Sequence, residues 1–146
     1  MGNKRPNKHE YYLNLAAGVA SRSTCLRRQY GAVIVKDDRI VSTGYNGAAR
    51  GIDNCNDIGY CYRAEHNIPH GQQYEKCKAV HAEANAIINA SKEEMQNATL
   101  YLAGFEDGGR IENPHPCEMC DRLIRNAGIG RVITTWDNSE WEDYVK

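Results

Sequence analysis

Several common features are missing from this sequence of 146 residues. No stretch approaches the roughly 18 consecutive apolar residues of a membrane-spanning helix, and polar Met1–Glu10 has no apolar core for a signal peptide. We therefore expect a cytoplasmic protein without membrane contacts. The chain also has no internal repeats and no low-complexity segment, and its length is typical of one domain, so we expect residues 1–146 to form a single domain.

An excess of positive charge is missing as well. Lys and Arg number 18 against 19 Asp and Glu, which gives a formal net charge of -1. Proteins that hold long nucleic acids carry a basic surface, so we do not expect stable nucleic-acid binding. A small phosphorylated ligand needs only a few local cations and remains compatible with this composition.

The spacing of apolar residues predicts an α/β chain. Lys8–Ser21 has helical periodicity, and the β-branched runs Gly31–Lys36 and Arg39–Tyr45 predict a hairpin across Asp37-Asp38. The later predicted elements are a helix at Val80–Ser91, a strand at Ala98–Ala103, a helix from Pro116 to about Asn126, and a strand at Arg131–Thr135 parallel to the previous one.

This order predicts a three-layer α/β/α fold, with a mixed central sheet of four or five strands and helices on its faces. Trp136–Lys146 is short and polar, and we expect no further strand there. Ala48–Lys78 and Gly104–His115 are predicted loops. The first is unusually long, and such loops tend to be functional.

Two short motifs supply the chemistry of a metal site, His81-Ala82-Glu83 and Pro116-Cys117-Glu118-Met119-Cys120. An imidazole and two thiolates from His81, Cys117 and Cys120 suit zinc, and three protein ligands leave the fourth position open, as in catalytic sites. Glu83 is then free to act as general base and general acid. Both motifs begin predicted helices, whose positive ends favour thiolates at the two cysteines.

Each motif alone is weak support for such a site. A lone Cys-x-x-Cys also occurs in structural zinc knuckles and redox pairs, and a lone His-x-Glu arises by chance. A thioredoxin-like redox pair would lie between a strand and a helix early in the chain, with no His-x-Glu motif nearby, and this sequence does not fit that context. The two motifs together, at the starts of two predicted helices, favour a catalytic zinc site.

His-x-Glu followed by Pro-Cys-x-x-Cys is the signature of the zinc-dependent nucleobase deaminases. Further segments resemble the deoxycytidylate (dCMP) deaminase family, and the resemblance covers about Tyr11 to Thr135. These segments are Thr24-Cys25, Gly31-Ala32-Val33-Ile34-Val35, Gly44-Tyr45-Asn46-Gly47 and His81-Ala82-Glu83-Ala84-Asn85-Ala86-Ile87. The resemblance implies a cytidine-deaminase-like fold, a zinc cofactor, and hydrolysis of dCMP to dUMP and ammonia for thymidylate synthesis. We also expect a homo-oligomer.

The resemblance implies substrate contacts as well. In the family, the asparagine that matches Asn46 binds the sugar and base of the nucleotide, and the segment before the first strand contacts the phosphate. Asn-Gly is also ordinary turn chemistry, and arginines are usually solvated. The candidate substrate-binding residues are Asn46, Ala82, and at least one of Arg22, Arg27 and Arg28.

One departure from the family leaves the substrate open. Gly104–Asn113 intervenes where relatives run from the strand almost directly into Ser-Pro-Cys or a similar tripeptide. The alternatives are another small cytosine nucleoside or nucleotide, a modified base, or, less favoured, a nucleic-acid-editing or non-catalytic module. The missing basic stripe argues against editing, and the presence of Glu83 argues against lost turnover.

Four further cysteines flank or lie within the long loop, namely Cys25, Cys55, Cys61 and Cys77. Bacterial and phage members of the resembling family often carry a second zinc near these positions, which implies a closed structural Cys₄ site. His70 or His66 is the alternative for one ligand. The competing interpretation is four unrelated reduced thiols, which are commonly buried and inert.

Overall fold

A computed structural model describes residues 5–69, 72, 77, 79–112, 114–134, 136 and 141–143. Its helices are α1 (Lys8–Ala20), α2 (Cys55–Ile58), α3 (Tyr62–Glu65), α4 (Ala82–Ile88), α5 (Lys92–Met95) and α6 (Glu118–Ala127). Its strands are β1 (Gln29–Lys36), β2 (Arg39–Tyr45), β3 (Gly47–Ala48), β4 (Ala79–Val80), β5 (Thr99–Glu106), β6 (Gly109–Arg110), β7 (Arg131–Ile133) and β8 (Trp141–Asp143). None of the helices in these ranges is long and apolar enough to span a bilayer.

The central sheet is mixed, as the sequence predicted. Its strand order is β2-β1-β5-β7-β8, and β6 pairs with β5. Strand β1 is antiparallel to both β2 and β5, whereas β5 and β7 are parallel. The parallel pair is joined through α6, which is the usual way to cross from one parallel strand to the next.

Alternating side chains along the strands separate two cores on opposite faces of the sheet. Ala32, Ile34, Leu100, Leu102 and Val132 face α4, α5 and α6. Their neighbours Val33, Val35, Tyr101, Ala103 and Ile133 face α1. Successive strand residues point to opposite faces, so a strand buried on both sides is apolar throughout. The predicted three-layer α/β/α fold is confirmed.

Two strands of the central sheet lie where the sequence predicted none. Gly104–His115 is not a plain loop, because β5 runs to Glu106 and turns through Asp107 and Gly108 into β6. Both turn residues have positive φ, 52° and 79°, as a two-residue hairpin turn requires. The expectation against a strand beyond residue 136 was also wrong, because β8 pairs antiparallel with β7. The sheet therefore has six strands instead of four or five.

The long loop contains local structure that the sequence did not reveal. Two single-turn helices, α2 and α3, lie within Ala48–Lys78, and β3 and β4 at its two ends pair with each other. Elements of four residues are too short to produce a periodic pattern, so apolar spacing could not show them. The β3–β4 pair holds the segment after Asn46 against the segment before His81.

Helices α1 and α4 approach the sheet closely because glycine lies beneath each of them. A Cβ atom on Gly31 would overlap the backbone of Ala16 and Ala20, and one on Gly44 would overlap the backbone of Ala82 and Ala86. Neither obstacle is a flexible side chain, so a substitution would have to move a helix.

We therefore expect Gly44→Ala to destabilise the protein by about 2 kcal/mol, because overpacking a close helix–sheet contact costs about 1–3 kcal/mol. Denaturant unfolding would measure the change. Gly18→Ala is the matched control, since a Cβ there meets nothing within 4 Å and alanine is the better helix former. An equal loss in both variants would contradict the packing argument.

Candidate metal centre and active site

Two helix N-termini bring the predicted zinc ligands together. His81 is the N-cap of α4 and Cys117 the N-cap of α6, each in extended backbone conformation. Helix α6 therefore begins at Glu118, two residues after Pro116, where the sequence predicted its start. Asn85 helps to fix α4, because its side-chain amide donates a hydrogen bond of 2.8 Å to the carbonyl of Tyr45 at the end of β2.

The three ligand atoms lie at distances that suit zinc. Nδ1 of His81 is 3.4 Å from Sγ of Cys117 and 3.4 Å from Sγ of Cys120. A tetrahedral zinc ion with ordinary Zn–N and Zn–S bonds places nitrogen and sulfur about 3.5 Å apart. Among the described residues, this is the one group with three such ligand atoms within 4.8 Å of one another. The donor set therefore fits zinc in both chemistry and spacing.

The two thiols perturb each other strongly. A hydrogen bond between them, together with His81, lowers the pKa of Cys117 to about 4, while the pKa of Cys120 is raised by that same bond and by burial. The bond to Cys117 likewise raises the pKa of His81. One thiolate thus forms readily even without a metal, and a coordinating zinc ion deprotonates thiols outright. The backbone N–H of Cys120 donates to Sγ of Cys117 over 3.4 Å.

Glu83 lies in the first turn of α4 and is almost completely buried, with 5% of its surface exposed. Burial raises the pKa of Glu83 to about 7. A nearby metal cation would lower that pKa again, because it stabilises the carboxylate. A carboxyl group poised near neutral pH can both take up and release a proton.

One cavity joins two of the three ligands to three of the predicted substrate residues. Its lining combines metal donors, a carboxylate, aromatic and amide groups, and arginines, namely Cys25, Arg27, Arg28, Tyr30, Asn46, Arg63, Cys77, His81, Glu83, His115 and Cys117. The sequence argument did not single out Arg63, Tyr30 or His115 as functional. Of these, only His115 had a sequence signal, its position just before the Pro-Cys motif.

The arginines of the cavity differ in their partners. Arg28 forms an ion pair with Glu106 and donates a hydrogen bond of 3.3 Å to the Tyr30 hydroxyl. Arg63, only 6% exposed, donates to the carbonyls of Pro69 and Gln72. Arg27 has a buried Nη1 group with no hydrogen-bond partner. The third candidate, Arg22, is exposed on the surface.

Asn46 lines the cavity but also has a structural role. Its side-chain oxygen accepts hydrogen bonds from the backbone of Tyr30 at 2.8 Å and from the hydroxyl of Ser23 at 2.6 Å. Its amide donates to the carbonyl of Arg28 at 2.8 Å, which uses one of two N–H groups. Ala82 is fully buried in the core, so a substrate contact there would have to use its main chain.

The four remaining cysteines lie near one another without forming a compact ligand set. Cys55, Cys61 and Cys77 line one small cavity, and Cys25 shares the main cavity with Cys77. Burial raises the pKa of Cys77, and Cys25 and Cys61 raise it further. Among the described residues these sulfurs do not form a group with all ligand atoms within 4.8 Å.

Of the two histidines considered as alternative ligands, the structure describes only His66. The ring of His66 is exposed and stacks on Tyr62, with 4.0 Å between ring centroids. His70 lies outside the described residues.

A three-layer fold with two thiolates and an imidazole at paired helix N-termini, beside a buried glutamate, defines the class of zinc-dependent deaminases. The sequence family described as the cytidine and deoxycytidylate deaminase zinc-binding region matches residues 6–136. The chain belongs to this family.

Known relatives agree with this assignment. The chain is 39% identical over 133 residues to the deoxycytidylate deaminase of Mycobacterium phage D29, covering 88% of this chain and 94% of the phage protein. It is 35% identical to the deoxycytidylate deaminase of Schizosaccharomyces pombe, covering 88% of this chain but only 37% of the yeast protein. The crystal structure of apo dCMP deaminase from cyanophage S-TIM5 matches with a TM-score of 0.63 and 25% identity, covering 90% of this chain and 84% of that one.

Proposed function

We propose that this protein hydrolyses dCMP to dUMP and ammonia. The observation that carries the proposal is the buried Glu83 carboxyl group beside the His81 and Cys117 donors in one arginine-lined cavity, with Cys120 completing the group of three donors. The phage relative, named a deoxycytidylate deaminase, is similar over 94% of its own length and supports this substrate.

His81, Cys117 and Cys120 would hold the zinc ion, which supplies a Lewis acid that lowers the pKa of a water molecule to about 7. Glu83 accepts a proton from the attacking water and delivers it to N3 of the cytosine ring, which makes C4 electrophilic. After the water oxygen has bonded to C4, Glu83 takes the remaining proton from that oxygen and delivers it to the amino group. The C4–N bond then breaks, ammonia leaves, and the C4–O bond becomes the carbonyl of uracil. One carboxyl group serves both transfers because it is base first and acid second.

A substrate panel tests the proposal directly. Purified zinc-loaded protein would be incubated with cytosine, cytidine, deoxycytidine, CMP and dCMP, and ammonia release would be recorded. We expect dCMP to have the highest kcat/KM. A higher kcat/KM for any other compound, or no ammonia from dCMP, would overturn the assignment.

Arg27 is the best candidate for the phosphate contact. Its Nη1 group is buried in the described structure without a hydrogen-bond partner, and such a group costs about 1–3 kcal/mol unless a ligand satisfies it. Guanidinium groups match phosphate oxygens in charge and geometry. Arg28 is already paired with Glu106, and Arg22 is exposed on the surface.

We expect Arg27→Gln to lower kcat/KM for dCMP by at least about tenfold, because a charge-assisted hydrogen bond contributes about 1.5–3 kcal/mol. The same variant should use deoxycytidine, which lacks the phosphate, about as well as the parent. Steady-state kinetics with both substrates would separate these effects, and Arg22→Gln is the matched surface control. Equal losses on dCMP and deoxycytidine would mean that Arg27 does not bind the phosphate.

We further propose that Cys25, Cys55, Cys61 and Cys77 hold a second, structural zinc ion. The buried positions of Cys55 and Cys61 and the shared cavity with Cys77 support it. A closed Cys₄ site would stabilise the irregular loop beside the active site.

Metal analysis is therefore expected to find about two zinc ions per chain, and Cys55→Ser to leave about one, because a structural site needs all four ligands. The variant should also unfold at a lower temperature. A parent protein that binds one zinc ion after purification without chelators would rule out the second site.

A further inference from the structure

The β5–β6 hairpin places the carboxylate of Glu106 beside Arg28 of the cavity. Glu106, the last residue of β5, pairs through its carboxylate with Nε of Arg28, and Asp107 follows in the turn. The Glu106 side chain is 42% exposed, so part of it is accessible to solvent beside Arg28. This hairpin is the segment in which the chain departs from the pattern of the family it resembles.

Arg28 is held in place from two sides. Its backbone carbonyl accepts the amide of Asn46 at 2.8 Å, while Nη1 donates to the hydroxyl of Tyr30. The Tyr30 ring in turn packs against Gly104 of β5, where a Cβ atom would lie 2.6 Å from it. The hairpin therefore helps to fix the position of Arg28 and pairs its charge with that of Glu106.

We propose that Glu106 determines the length of phosphate chain that the site accepts, restricting it to a nucleoside monophosphate. Glu106 pairs with Arg28, which is one of the three arginines that line the cavity, and we assign Arg27 to the single phosphate group. A second phosphate would find Arg28 already paired and would approach the carboxylate of Glu106. This inference rests on the proposed function, because it assigns a specificity role within the same substrate site.

The expected discrimination follows from charge. A diphosphate carries more negative charge than a monophosphate. Repulsion between the Glu106 carboxylate and the second phosphate should therefore weaken the binding of the diphosphate. Replacing Glu106 by glutamine removes that repulsion and leaves the guanidinium of Arg28 able to pair with the added phosphate. Glu106 would thus select against dCDP, which has the same base and sugar as dCMP and differs from it only in the second phosphate.

The test measures binding rather than turnover. Calorimetry on the zinc-loaded Glu83→Gln protein, in which the ligand is not consumed, gives Kd for dCMP and for dCDP. We expect that introducing Glu106→Gln into this Glu83→Gln protein lowers the ratio of Kd for dCDP to Kd for dCMP by about five- to tenfold. This is the effect on affinity expected of one partly exposed charge-assisted contact. A thermal melt confirms that each variant is folded.

Two further variants complete the test. Glu93→Gln makes the same chemical change at an exposed residue of α5, which precedes the opposite end of β5, and should leave the ratio unchanged. Adding Arg28→Gln to Glu106→Gln should restore the parent ratio of Kd values, since the improved binding of dCDP acts through Arg28. A ratio unmoved by Glu106→Gln, or moved equally by Glu93→Gln, overturns the role of Glu106 while dCMP binding and the proposed function stand. No binding of dCMP at all overturns both.

Discussion

Replacing Glu83 by glutamine is expected to lower kcat for dCMP by about 10³-fold or more, because general acid–base catalysis by one group contributes about 10²–10⁴-fold and here one group serves both transfers. Glutamine keeps the size of the side chain but cannot carry the proton. The catalytic zinc should remain, since Glu83 is not in the donor group. Ammonia release and metal analysis on the same preparation would measure both quantities.

The control for this change is Glu118→Gln. Glu118 lies one residue from Cys117 but is exposed, so the same chemical change near the metal should have little effect on turnover. Activity of the Glu83 variant within tenfold of the parent would rule out the proposed proton transfers. Loss of zinc from that variant would instead make Glu83 a ligand.

Cys117→Ser and His81→Ala should each lose the catalytic zinc together with activity. Three protein donors hold this ion, and removing even a supporting residue beyond the ligands costs about 10–100-fold in affinity, so losing a ligand should cost at least about 100-fold. Zinc per chain is expected to fall by about one, and added zinc should restore little turnover.

His115→Ala is the matched control for the ligand variants. His115 lines the same cavity but does not belong to the group of three close donors, so this variant should retain its zinc. Full zinc content in Cys117→Ser or His81→Ala would contradict the ligand assignment, and zinc loss in His115→Ala would add a fourth donor to it.

Much of the fold was predictable because it depends on local periodicity. Helix α1 and the β1–β2 hairpin lie within one or two residues of their predicted bounds, since each has a long run of regularly spaced apolar residues. The β5–β6 hairpin could have been predicted from Asp107-Gly108, the usual pair for a two-residue turn. Strand β8 could not, because its three residues, Trp141–Asp143, show no strand pattern of their own and pair with β7 only in the folded chain.

The sequence by itself identified the candidate residues of the site. Motif spacing named His81, Cys117, Cys120 and Glu83, and it did so because ligand types and helix N-terminal positions are local properties of the chain. The homo-oligomer, the cytoplasmic location and the second zinc remain predictions.

Only the tertiary structure decided which of the three candidate arginines has a buried nitrogen without a hydrogen-bond partner among the described residues. Arg22, Arg27 and Arg28 are nearly adjacent in sequence, yet one is exposed, one has a buried unpartnered nitrogen, and one is paired with Glu106, 78 residues away. The availability of a charged side chain depends on which distant groups the fold places around it, and sequence spacing contains no record of those contacts.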